Sequence, residues 1–281
     1  MQIGIMAGTF VRPTFEETLD AITSHGIYCV QFSLTGVGLP ELPEHIDAEL
    51  CDRVRSEMET RKIKMAALSG TFNMIHPDVQ KRRDGLRKLR PLASACNRLG
   101  TSVITLCTGT RDPQSMWRAH PENNSPEAWE DLVASMDEAL QIAEENDVIL
   151  AFEPEVSNVI DSASKGRRLI DQMQSPHLKV VMDGANIFHK GELPRMREIL
   201  DEAFDLLGEH IVMAHAKDLD HDGEAGHKAA GKGLLDYDQY LSLLNAVGFD
   251  VPLILHGLRE AEVDECVAFL REKMAVINST M

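Results

Sequence analysis

The chain has 281 residues, 43% of them hydrophobic and 26% charged, enough apolar surface for a sizeable core and a length at which α/β barrels run as a single domain. Its 28 Lys and Arg against 45 Asp and Glu leave a net charge of −17, which repels a phosphate backbone and excludes broad nucleic-acid binding. No apolar stretch reaches the roughly 18 residues a membrane span requires, and the opening MQIGIMAGTF has no positively charged n-region, so no signal peptide is expected.

Eight short apolar runs follow one another along the chain. They are IGIMAGTF from Ile3, IYCVQF from Ile27, KMAALSG from Lys64, SVITLC from Ser102, VILAFEPE from Val148, LKVVMDGAN from Leu178, IVMAHAKD from Ile211 and VPLILHGL from Val251. Near-continuous apolar runs are the mark of parallel strands buried on both faces. Helical patterns lie between them. TFEETLDAITSHG opens on a capping box, Thr14 with Glu17, and closes at Gly26. SPEAWEDLVASMDEALQIAEEN starts with Ser125 as N-cap and Pro126 at the first helical position, and DYDQYLSLLNAVGF is a third such segment. Strand and helix alternating eight times predict a single-domain α/β fold, a (β/α)₈ TIM barrel over residues 1–281. A doubly wound sheet would need a glycine-rich turn after the first strand, where the chain reads AGTFVRPTF. The five cysteines are odd in number and form no CxxC; Cys29 and Cys107 lie within apolar runs, as expected of reduced, buried thiols in a cytoplasmic protein.

In such a barrel the active site lies at the C-terminal ends of the strands. The fifth run ends in Glu153-Pro154-Glu155, the sixth in Asp183, the seventh in His215-Ala216-Lys217-Asp218 and the eighth in His256. Alternation along a strand puts Glu153 and Glu155 on one face, and His215 and Lys217 on one face. Unpaired buried carboxylates are costly. Pairing with nearby Lys or Arg would relieve that cost, but for three successive strand ends a divalent cation is the better explanation. Carboxylate with imidazole suits Mn²⁺, Co²⁺, Zn²⁺ or Mg²⁺.

The series FEPE, MDGAN, AHAKD and AGKGLLDY resembles the xylose-isomerase-like superfamily of sugar isomerases and epimerases, over essentially the whole chain. The resemblance implies a metal held by Glu153, Asp183 and His215, with Gly231-Lys232-Gly233 in the loop after the seventh strand, bordering the substrate. At the eighth strand, where the family places a metal-binding and proton-moving Glu, LILHGL puts His256, expected here as a fourth ligand and catalytic group. Glu260, just downstream, is an alternative source of the missing carboxylate.

Other residues of the same mouth are expected to meet substrate: Glu155, His76 after the third strand, and Trp117, Arg118 and His120 in the polar excursion Arg111–Asn124. Lys217 is expected to polarise a carbonyl, Glu153 or Glu155 to act as base, and Asp218 to turn away and brace its loop. Gln31 ends the second strand, either contacting substrate or capping the strand, and His189, His221 and His227 read as surface residues. The resemblance and these residues together imply a metal-dependent isomerase or epimerase working on a keto-sugar, sugar acid or related polyol through an enediolate. The alternatives are a lyase, as a dehydratase or keto-glycoside-cleaving enzyme, and a barrel that binds sugar or metal without turnover. The expected partner is a small carbohydrate, not nucleic acid or membrane, with self-association into a homo-oligomer left open.

Overall fold

A computed structural model describes residues 1–248 and 252–279. Each of the eight apolar runs coincides with a barrel strand, the first strand starting one residue before its run: β1 Gln2–Met6, β2 Cys29–Phe32, β3 Lys64–Ser69, β4 Val103–Leu106, β5 Ile149–Phe152, β6 Leu178–Asp183, β7 Ile211–Asp218 and β9 Pro252–Leu255. A two-residue strand, β8 (Lys228–Ala229), pairs antiparallel with the end of β7. Val251, where the last run begins, lies outside the described residues. The strands pair in the order β1 to β7; β7 pairs with β9 and β9 with β1, all parallel, so the barrel closes. Helices α1 Phe15–Ser24, α2 Ala48–Thr60, α3 Val79–Leu99, α4 Pro126–Asn146, α5 Ala163–Met173, α6 Met196–Leu207, α7 Tyr237–Ala246 and α8 Val263–Ser279 follow the barrel strands in turn.

Local chemistry sets the helix starts. The Thr14 hydroxyl accepts the Glu17 N–H while the Glu17 carboxylate accepts the Thr14 N–H, a complete capping box on α1. The Ser125 hydroxyl accepts the Ala128 N–H at 3.1 Å, with Pro126 opening α4. Among the described residues no helix is long and apolar enough to cross a membrane.

The strand period of two divides the barrel interior into layers. Cys29, Ala67, Ala151, Val181, Met213 and Ile254 form a small apolar cluster of their own, apart from the larger core. Two residues further along the same chain segments stand Gln31, Ser69, Glu153, Asp183, His215 and His256. An apolar plug thus lies beneath a polar layer at the C-terminal mouth, and each member of that layer is set by the residue two positions before it.

All five thiols are buried, and burial pushes Cys29 and Cys266 up to about 11 and Cys96 to about 12. The folded protein at pH 8 is therefore expected to show no rapidly reacting thiol toward a disulfide reagent, and all five after denaturation. A thiol that reacts in the native state within the mixing time would contradict this packing.

Candidate active site

The sheet register brings the key side chains together. Asp183 on β6 pairs with His215 on β7, and His215 with Ile254 on β9, two residues before His256. Tyr240 on α7 lies completely buried, and its hydroxyl is shared between the carbonyls of Met182 and His215, each at 2.9 Å. This shared hydroxyl ties the β6 carbonyl just before Asp183 to the β7 carbonyl of His215. Tyr237 does the same one residue pair further on, donating to the Lys217 carbonyl at 2.9 Å. Asp218 points away from the barrel and accepts four backbone N–H groups, of Leu219, Gly231, Gly233 and Leu235. It therefore organises the connection containing Gly231-Lys232-Gly233.

At the centre, His215 Nδ1 lies 3.3 Å from Glu153 Oε2 and 3.7 Å from Asp183 Oδ2, and Lys217 Nζ lies 3.2 Å from the same Asp183 oxygen. The opposite nitrogen of His215, Nε2, meets Gln31 Oε1 at 2.9 Å. The Gln31 amide in turn donates to the Ser69 and Thr105 hydroxyls at 3.2 and 3.1 Å, so Nε2 carries the proton in this network. The Asn186 side-chain amide donates to Glu153 Oε1, and Asp183 Oδ1 accepts the Ala185 N–H at 2.9 Å. The rings of His215 and His256 meet edge to face with centroids 5.0 Å apart.

The electrostatics follow from burial and proximity. Burial opposes charge on His215, but the carboxylates of Glu153 and Asp183 outweigh it and push the imidazole up to about 9. Burial likewise opposes ionisation of Asp183, yet Lys217 and His215 hold its carboxyl well below the usual range. Lys217, also buried, is held charged by Asp183 and Glu153. His256 moves the other way. Burial, with the positive charges of His215 and Lys217, lowers it to about 3, so its ring is neutral. Burial pushes Glu155 up to about 7 against the Ser157 backbone N–H.

Three buried atoms here have no hydrogen-bond partner: Asp183 Oδ2, His215 Nδ1 and His256 Nδ1. The three residues offer ligand atoms lying within 4.8 Å of one another. Asp183 Oδ2 and His215 Nδ1 keep only the ion-pair contacts described above, and a buried polar atom short of a hydrogen bond is costly. Three that converge, beside the Glu153 carboxylate, fit a divalent cation held by two carboxylates and two imidazoles.

The layer opens into a cavity of about 430 Å³, within the range of small-molecule sites. Glu153, Glu155, His215, Lys217 and His256 line it, with Gln31, Ser33, Thr35, Glu41, Ser69, Thr71, Asn158, Asn186 and Trp117. Trp117 projects from the excursion after β4 and is 60% exposed.

The structure does not bring the other expected contact residues to this cavity. His76 is buried with both ring nitrogens committed to loop backbone: Nδ1 accepts the Asp78 N–H and Nε2 faces the Pro113 carbonyl at 3.3 Å. His120 caps the short turn Pro121–Asn124, its Nδ1 accepting the Glu122 N–H. Arg118 points outward to Asp112 and Gln114. Glu260 is held at the surface by a two-pronged pair with Arg12 and cannot supply the missing carboxylate. Conversely, Asn186, Glu41 and the supporting tyrosines join the site through the fold. Asn186 carried a usable signal, standing three residues beyond Asp183 in the turn that leaves β6.

The model of the xylose isomerase-like TIM barrel family matches residues 19–273, and the chain belongs to that family. No curated protein matches it significantly. Several solved structures share its fold. A D-tagatose 3-epimerase-like protein superposes with a TM-score of 0.79 at 13% identity, over 100% of this chain and 99% of that one. The 3-keto-D-glucoside 4-epimerase YcjR from E. coli gives 0.72 at 15% identity, over 97% and 99%. The probable 3-DHS dehydratase AsbF from Bacillus anthracis gives 0.75 at 13%, over 96% and 99%.

The shared Tyr240 hydroxyl generates a direct test. Tyr240→Phe leaves two buried carbonyls short of a donor and is expected to cost about 1–3 kcal/mol in urea unfolding. A stability within 0.3 kcal/mol of the parent, roughly the scatter of a neutral surface change, would show that this bond does not hold β6 and β7.

Proposed function

We propose that the chain is a divalent-metal-dependent isomerase or epimerase that removes and returns a proton on the carbon beside the carbonyl of a keto-sugar or related polyol. The observation that carries this reading is the convergence of ligand atoms of Asp183, His215 and His256 beside Glu153, at one wall of a sugar-sized cavity, with Asp183 Oδ2, His215 Nδ1 and His256 Nδ1 each short of a hydrogen bond. The family membership and the epimerases among the structural neighbours support it.

Glu153, Asp183, His215 and His256 would hold the cation, which when bound supplies Lewis-acid polarisation of the substrate's oxygens. Glu153 is the base. Its Oε1 is fixed by Asn186, which orients the carboxylate, and the cavity wall exposes it to substrate. Lys217, a buried ammonium facing the cavity, donates a hydrogen bond to the substrate oxygen on which negative charge develops. Glu155 is the second carboxyl of the cavity, held by the Ser157 N–H and the Asn158 amide at 3.0 and 2.7 Å. The hydroxyls of Ser33, Thr35, Ser69 and Thr71, with Glu41, present partners for a polyol. With Lys217 the sole Lys or Arg among the described lining residues, the wall suits a neutral polyhydroxy ligand better than a sugar acid.

A lyase is the second reading, favoured by the neutral His256 at the family's carboxylate position: with no carboxyl there to return a proton to carbon, the enediolate can expel a β-substituent instead, the Lys217 ammonium being the proton donor that faces the cavity. Loading the protein with Mn²⁺ and incubating it with ketoses, inososes and keto-glycosides in D₂O separates these readings. The expected result is deuterium entering the carbon beside the carbonyl, with Glu153→Gln slowing it by about 10²–10⁴-fold. An unsaturated or released-group product would establish the lyase instead. Neither outcome, with metal bound, would contradict catalysis and leave a binding protein.

His256 is tested in the same assay. His256→Gln is expected to lower turnover by at least about tenfold, a loss of roughly 1.4 kcal/mol of transition-state stabilisation. An unchanged rate would reduce His256 to a packing residue.

A further inference from the structure

The connection from β7 to β8 carries a second cluster, on the solvent side of the rim and separate from the barrel site. Asp220, His221 and His227 each offer one ligand atom, all within 4.8 Å of one another. Two imidazole nitrogens converge on a single oxygen: His221 Nδ1 and His227 Nε2 both lie 2.7 Å from Asp220 Oδ1. The two rings stand 4.3 Å apart, tilted by 37°. The remaining nitrogen of His221 faces Glu224 Oε2 at 3.7 Å, an electrostatic contact rather than a hydrogen bond. Lys228 Nζ occupies the other Asp220 oxygen at 2.8 Å, leaving Oδ1 to the imidazoles.

Ligands about 2.0–2.1 Å from a tetrahedral zinc ion lie about 3.3–3.4 Å from one another. The contacts at Asp220 would therefore open by less than about 1 Å to admit the cation. The side chains are solvent-accessible, 45% for Asp220, 54% for His221 and 32% for His227, so they are free to move and water can complete the coordination.

The cluster spans a stretch that touches the active site. Between His221 and His227, Ala225 lines the cavity and the Gly226 N–H donates to Asn186 Oδ1 at 2.7 Å. The amide of the same Asn186 holds Glu153. Gly226 fits there because it lacks a side chain: a Cβ would lie 2.5 Å from Ala185 Cβ and 3.0 Å from the Asp218 carbonyl. A cation joining residues on both sides of this stretch would close it into a clip.

We propose that Asp220, His221 and His227 form a second cation site, for zinc or a similar transition metal, that clips the β7–β8 connection over the cavity. The site stands independently of the catalytic reading. Equilibrium dialysis of the full chain against Zn²⁺ is expected to give two equivalents bound. His221→Ala/His227→Ala, a change confined to exposed side chains, is expected to retain one, and Asp183→Asn/His215→Gln to retain the other. Equal binding by the parent and the His221→Ala/His227→Ala variant would overturn the rim site. Equal binding by the parent and the Asp183→Asn/His215→Gln variant would instead overturn the barrel site, so the two failures are distinct. Amide exchange over residues 219–227 should slow by about tenfold in the parent at Zn²⁺ ten times its Kd, and not in His221→Ala/His227→Ala. Exchange that is unchanged by zinc in the parent would overturn the clip.

Discussion

The structure depends on one constraint: charge has been carried into the end of an apolar barrel and has to be compensated there. Asp183 is completely buried and His215 nearly so, directly above a plug of Ala, Val, Cys, Met and Ile side chains. Within the chain the compensation is internal. Glu153 and Asp183 face a positive Lys217 and a histidine that they hold protonated. That compensation is incomplete in geometry, because Asp183, His215 and His256, whose ligand atoms lie within 4.8 Å of one another, each keep a buried polar atom without a hydrogen bond. A cation displacing the His215 proton would satisfy all three and leave Lys217 to work on the substrate. The neutral ring of His256 is already in the protonation state a metal requires.

The surrounding shell is built to keep that layer from relaxing. Gln31 fixes the far nitrogen of His215, and its own amide is fixed by Ser69 and Thr105, so three further strands determine one imidazole's orientation. Asn186 relays between Glu153 and the Gly226 backbone, connecting the proposed base to the β7–β8 connection. Tyr240 and Tyr237 secure the carbonyls of the strands that carry Asp183 and His215, and Asp218 gathers the backbone beyond them. Each of these groups acts on the chemistry through geometry, by preventing the small displacements that would waste it.

The fold was largely legible in the sequence because parallel barrel strands, buried on both faces, leave short apolar runs with polar residues only at their ends. That rule placed Glu153, Asp183, His215, Lys217 and His256 together, and capping chemistry placed the starts of α1 and α4. Loop residues were less legible. His76, His120 and Arg118 looked available because their partners, the Pro113 carbonyl, the Glu122 N–H and Asp112, belong to the loop's own folding. Hydrogen bonds inside an irregular segment leave no periodicity to read. Glu41 had the converse problem: it reaches the cavity from the segment beyond β2, and only the tertiary arrangement brings it beside Thr71. The cluster at Asp220 was similarly obscured, since its histidines lie on a polar loop where surface exposure is the ordinary expectation.

The central claim is that the buried layer is a cation site, and anomalous diffraction from crystals soaked in Zn²⁺ tests it most directly. The account predicts a peak at the barrel mouth within about 2.0–2.2 Å of Asp183 Oδ2, His215 Nδ1, His256 Nδ1 and a Glu153 oxygen. A barrel with no peak among these four residues, Lys217 still paired with Asp183 and His215 Nδ1 hydrogen-bonded to Glu153, would contradict it.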